Sequence, residues 1–119
     1  MIGEGNMGAE SFWTRSYGKD VKGAFLSAVD NAQYMDGHGG YSGTIAEKSS
    51  YILIDVPKGK NPLDFANELM DNNDPRIDDK WGPAGAIDVT NMEKKRAKEL
   101  GTKWKRGQKA YLFFGWASS

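Results

Sequence analysis

Apolar residues recur at Val21, Ala24, Phe25, Ala28, Val29 and Ala32, a spacing that lines them up as one stripe along an α-helix. Asp20 stands where an N-cap belongs, and Gly37 where a C-terminal glycine does. Strand-forming sequence flanks this helix on both sides. Residues 11–17 are rich in aromatic and β-branched side chains, and residues 43–48 and 50–56 read as two strands close enough to form a hairpin. The stripe therefore predicts a β-α-β beginning, with the helix laid on a sheet.

Asn61 and Pro62 then open a second helix as cap and first helical residue, with Pro62, Phe65, Ala66, Leu69 and Met70 on its buried face. An acidic, turn-rich loop covers residues 72–80, and a short extended piece covers 86–89. Thr90 and Glu93 have capping-box spacing at the start of a short basic helix that Gly101 ends. Residues 109–116 close the chain as a strand. The order β-α-β-β-α-(β)-α-β predicts an α+β fold, a ferredoxin-like two-layer sandwich. Its sheet is mainly antiparallel with four to five strands and two or three helices in all, two of them on one face. Neighbouring strand residues face opposite ways, so Phe113 and Phe114 cannot enter the same layer. One of them, with Trp116 or Tyr111, is expected on an open sheet face or at an oligomer contact.

At 119 residues the chain makes one domain able to bury a single core, with residues 1–9 expected as a loose arm. It contains no cysteine, which excludes disulfides, thiolate zinc sites and cysteine nucleophiles. No apolar run approaches the roughly 20 residues of a membrane span, and the first residues lack the features of a signal peptide. The expected setting is cytoplasmic, with no membrane partner. The formal net charge is zero but unevenly spread. Residues 1–93 hold eight Lys/Arg against fifteen Asp/Glu, whereas residues 94–119 hold eight Lys/Arg against Glu99 alone. Such asymmetry marks a candidate interaction surface, while the overall balance argues against strong non-specific nucleic-acid binding.

The run from Gly37 to Lys48 concentrates glycine around the one histidine, His38. It matches neither the dinucleotide fingerprint nor a phosphate loop ending in Gly-Lys-Ser/Thr. Two readings stand for it: a nest of N–H groups holding an anion, with His38, Gly39, Gly40, Tyr41, Ser42 and Lys48 as candidate ligand residues, or a structural connection. Histidine suits acid–base chemistry, but its partner would have to be Glu47 or Asp36, so no catalytic residue is assigned. One histidine without cysteine does not make a zinc site, the acidic loop lacks calcium-loop spacing, and no cofactor is expected. The stretch from Lys94, Lys95, Arg96 and Lys98 through Lys103, Trp104, Lys105 and Arg106 to Lys109 is the best binding candidate, its basic residues suited to phosphates and its tryptophan to a base. Its alternative is a solvated face turned toward the acidic loop.

Three blocks carry a family likeness: residues 37–48 (GHGGYSGTIAEK), 79–85 (DKWGPAG) and 112–119 (LFFGWASS). Together they resemble a group of short proteins of unassigned activity carried by bacteriophages and some bacteria. The resemblance implies a phage or mobile-element setting inside a host cytoplasm, where small proteins bind host factors. The expectation is a non-enzymatic binding module for a phosphate-bearing ligand, nucleotide or nucleic acid, or for a host protein. The rivals are a small hydrolase or nuclease using His38 and nearby carboxylates, and a protein–protein adaptor or homo-oligomer.

Overall fold

The computed structural model describes residues 8–37 and 39–119. Strand β1 (Ala9–Gly18) turns into helix α1 (Val21–Asp36). Then β2 (Tyr51–Leu53), α2 (Pro62–Asp71), β3 (Ala84–Asp88), α3 (Thr90–Leu100) and β4 (Lys109–Ser118) follow. The strands form one sheet in the order β1-β4-β3-β2. Strand β4 is antiparallel to both neighbours, pairing with β1 over its whole length from Ala9↔Ser118 to Gly18↔Lys109, while β2 runs parallel to β3. The expected α+β class is observed, with a four-stranded mixed sheet, two of its three pairings antiparallel, and three helices. The expected ferredoxin-like two-layer arrangement is not what the strand order β1-β4-β3-β2 and the helices on both faces give. The expected arm falls on residues 1–7, outside the described residues, and on Gly8 and Ala9, which are tied in. Gly8 accepts a 2.6 Å hydrogen bond from the Ser119 N–H, and Ala9 begins β1.

The predicted helices start where their caps lie. The Asp20 side chain accepts from the Gly23 N–H at 2.8 Å, and Asn61 accepts from the N–H groups of Leu63 and Asp64 at 2.8 and 3.1 Å. The capping box at Thr90 does not form. Asp88 accepts the Thr90 N–H at 2.8 Å, and the Thr90 hydroxyl turns to Ala110 of β4. Glu93 instead faces β1.

The expected hairpin is also absent. Residues Ile45–Glu47 form a turn of 3₁₀-helix whose first N–H groups are capped by Thr44. The Ser42 and Thr44 hydroxyls bond locally, and such bonds compete with strand pairing. Only Tyr51–Leu53 joins the sheet, and it pairs with β3 across the α2 crossover that a parallel connection needs.

Both faces of β4 are covered, while the edge strand β1 leaves Trp13 and Tyr17 exposed. Tyr111, Phe113 and Ala117 of β4 pack with Ala24, Phe25 and Ala28 of α1. The intervening Ala110, Leu112 and Phe114 pack with Ala66, Leu69 and Met70 of α2, and Met92 of α3 packs against the same cluster. Because alternate strand residues point to opposite sides, α1 covers one face and α2 and α3 the other, rather than the helices sharing a face. Phe113 and Phe114 do enter different layers, as expected, but both are fully buried. Neither serves as an exposed contact.

Two aromatic layers on β4 fit only because β3 is nearly bare: Ala84, Gly85 and Ala86 are all buried. A Cβ on Gly85 would stand 2.8 Å from Phe114 Cζ and 2.9 Å from Ile77 Cγ2. Gly85→Ala should therefore destabilise by about 1–3 kcal/mol through overpacking. Gly39→Ala, with none of the described residues within 4 Å of its added carbon, should stay within about 0.5 kcal/mol of the parent. Urea denaturation of the two variants checks this, and equal midpoints would refute the close approach.

Candidate functional site

The candidate residues divide between two ends of the molecule. At the first end the glycine-rich run leaves α1 at Gly37, whose N–H bonds the Gln33 carbonyl at 2.7 Å. His38 lies outside the described residues. Gly39, Gly40 and Tyr41 are exposed and Ser42 is half-buried. The N–H groups of Ser42 and Gly43 in this run are engaged within the fold. Ser42 donates its N–H and its hydroxyl to Glu47 Oε2 at 3.1 and 2.7 Å, and the Gly43 N–H donates to the Ser118 carbonyl at 2.7 Å. A side chain at Gly43, where φ is +71°, would also run into the Glu10 carboxylate. Burial alone would raise the Glu47 carboxyl, but the Ser42 hydroxyl and the N–H groups of Ser42 and Tyr41 outweigh it and hold the pKa below the usual range. Glu47 is thus an ionised acceptor tied to its own loop.

Lys48 is almost fully buried. Its ammonium donates to the carbonyls of Gly82, Lys80 and Asp79 at 2.8, 3.2 and 3.3 Å and stands 5.9 Å over the Phe12 ring. It fastens the 79–82 turn to the body of the protein and is not presented to solvent. The turn is also closed by the Asp79 carboxylate, which accepts the Trp81 N–H at 2.8 Å. Above it Tyr41 and Trp81 meet edge to face at 6.3 Å, both about two-thirds exposed. Residues 37–48, 79–85 and 112–119 therefore meet at one structural junction.

The second end is built by the turn between α3 and β4, beside the end of β1. Trp104 donates its indole N–H to the Gln108 carbonyl at 3.0 Å and packs edge-on to Tyr17 at 6.0 Å. Lys103, Lys105 and Arg106 are exposed around it. Two adjoining clefts open here, sharing Tyr17 and Gln108. One, of about 320 Å³, takes Arg96 and Lys103 into its wall; the other, of about 420 Å³, takes Lys19, Lys105 and Arg106. The one carboxylate lining them, Glu93, is buried and already held by Arg15 Nε at 3.1 Å and the Tyr17 hydroxyl at 3.4 Å. Burial, and then the Glu93 charge, push the Tyr17 hydroxyl above the ordinary tyrosine range.

These ends are not one site. The glycine-rich run meets β4 at Ser118, and the basic turn feeds into its first residue, Lys109. Ten residues of strand separate them by roughly 30 Å at ~3.3 Å per residue. Among the described residues no ion pair joins the basic stretch to the acidic loop, where Asp74 takes Arg76 instead. Nor do three histidine, aspartate or glutamate side chains gather there as a metal group. Sequence reasoning brought together Lys103, Trp104, Lys105 and Arg106 but missed Tyr17 and Lys19, whose signal was only their place at the end of a strand. No protein-family model, curated protein or solved structure matches the chain.

The burial of Lys48 sets a pH dependence. Burial draws its ammonium down to about 8, against the opposing pull of Asp79. Between that pH and the ordinary lysine value of about 10.5, the unfolded chain binds a proton that the folded one does not, so stability rises with pH across this window. Comparing urea midpoints of the parent and Lys48→Met at stepped pH isolates this group. The parent's advantage should grow from pH 8 to pH 10, and a constant difference would refute it.

Proposed function

We propose that this protein is a non-enzymatic binding module that takes a phosphate-bearing ligand, nucleotide or nucleic acid, at its basic end. One observation carries the reading. Five cations, Lys19, Arg96, Lys103, Lys105 and Arg106, line two adjoining clefts and none of them is held in an ion pair among the described residues. Positive charge gathered in a concave surface raises the local concentration of anions, and phosphate oxygens match the guanidinium of Arg96 or Arg106. A zero formal net charge keeps such binding local to this end. In the phage setting that the resemblance implies, the ligand comes from the host cell or from the phage's own nucleic acid.

The glycine-rich run does not contribute to this site. The hydrolase reading draws no support from Glu47, which accepts from the Ser42 N–H and hydroxyl. A second reading, contact with a host protein, draws support from the exposed Tyr41–Trp81 pair at the opposite end. Trp81→Ala should abolish capture of a defined partner while leaving phosphate binding intact; capture that persists would remove this reading.

Titration calorimetry with ATP and with a thymidine oligonucleotide, at low and physiological salt, tests the main reading. Lys105→Ala/Arg106→Ala, both exposed, should weaken binding at least tenfold without moving the thermal midpoint. Affinity should fall as salt rises. Absence of binding to both probes, or an affinity indifferent to the double substitution, would overturn it.

A further inference from the structure

Among the described residues strand β1 is a sheet edge, paired only with β4, and its solvent side carries a row of groups that the basic clefts alone do not explain. Trp13, Arg15 and Tyr17 share one face, spaced by roughly 6.6 Å because alternate residues advance ~3.3 Å each. We propose that the phosphate-bearing ligand is a single strand of nucleic acid, its phosphates entering the basic clefts and its bases running along β1 over Tyr17, Arg15 and Trp13. This rests on the basic-end reading above and extends it by naming the ligand class.

Three observations carry it. Trp13 is 43% exposed, yet its ring is fixed, stacked on the fully buried Phe114 at 5.8 Å and 12°. Tyr17 is equally exposed, braced by Trp104 and by Glu93 through its hydroxyl. The Arg15 guanidinium between them is partly exposed and held by the same Glu93 carboxylate. All three flat groups are therefore preorganised, and little side-chain freedom is lost when something lies on them.

Aromatic rings and guanidinium planes alternating along a groove, with cations beside them, are the chemistry of sequence-tolerant single-strand binding. A mononucleotide reaches the clefts and Tyr17 but leaves Trp13, roughly 13 Å away along the strand, unused. A duplex keeps its bases stacked on one another and offers none to the row. The cations gather at one end only, so the strand is anchored by few phosphates. With about three neutralised, the salt slope of log affinity is about −2, at about −0.7 per phosphate for a single strand.

The test is fluorescence anisotropy with labelled thymidine and uridine oligonucleotides of two, four and eight residues, beside ATP competition. The tetranucleotide should bind at least tenfold more tightly than the dinucleotide, with little further gain for the octanucleotide. Trp13→Leu should weaken the tetranucleotide about tenfold, Trp13→Phe should restore most of it, and neither should change ATP affinity. In the parent, the Trp13 indole N–H resonance should shift with the tetranucleotide, a readout independent of any variant's folding. A dinucleotide bound as tightly as the tetranucleotide, or a silent Trp13 resonance, overturns the single-strand proposal while ATP binding keeps the basic end. No binding of any probe overturns both.

Discussion

Because alternate side chains of β4 fill two separate apolar clusters, that strand is stable only when both faces of the sheet are covered. The requirement places the helices: α1 on the side of Phe113, α2 and α3 on the side of Phe114. It also dictates the neighbours. With aromatic rings on both sides of β4, β3 can afford only Ala84, Gly85 and Ala86 at its start, and Phe25 and Tyr51 fill the space above Phe113. On the other side Trp13 of β1 lies against Phe114. The aromatic that lends the sheet edge its open ring is thus held by the core strand itself.

Much of this was legible locally. The helix at 21–36, with its Asp20 cap, and the helix opened by Asn61-Pro62 follow from side chains that act on their own backbone within a turn. The closing strand was legible too. Its meaning was not, because the continuous apolar run of residues 110–117 is what a strand buried on both faces looks like, and the open face expected for Phe113 or Phe114 does not exist. The hairpin failed for a similar reason. Pairing depends on partners far along the chain: Gly43 bonds Ser118, and Tyr51 finds Ala84 across a helix. Nothing within residues 43–56 encodes either.

The site was half legible. Lys103, Trp104, Lys105 and Arg106 stand together in sequence and in space, whereas Tyr17 and Lys19 reach them only because β1 and β4 pair end to end. Lys48 reads as one more surface cation in the sequence. Its burial depends on three carbonyls more than thirty residues away.

A contrast between the two ends follows from what each asks of its residues. The junction of residues 37–48, 79–85 and 112–119 demands particular ones. Gly43 must leave room for Glu10, Lys48 must reach three carbonyls, and Gly85 must leave room for Phe114. Substitutions there meet steric or buried-polar penalties, so the wording is distinctive whatever the protein binds. The proposed phosphate cleft asks for positive charge and open access, which Lys19, Lys103, Lys105 and Arg106 meet without any fixed spacing. The most recognisable stretch of this chain is therefore one whose Ser42, Gly43 and Lys48 already bond within the fold, and the proposed ligand chemistry lies about a strand's length away, in residues whose individual identities carry little signature.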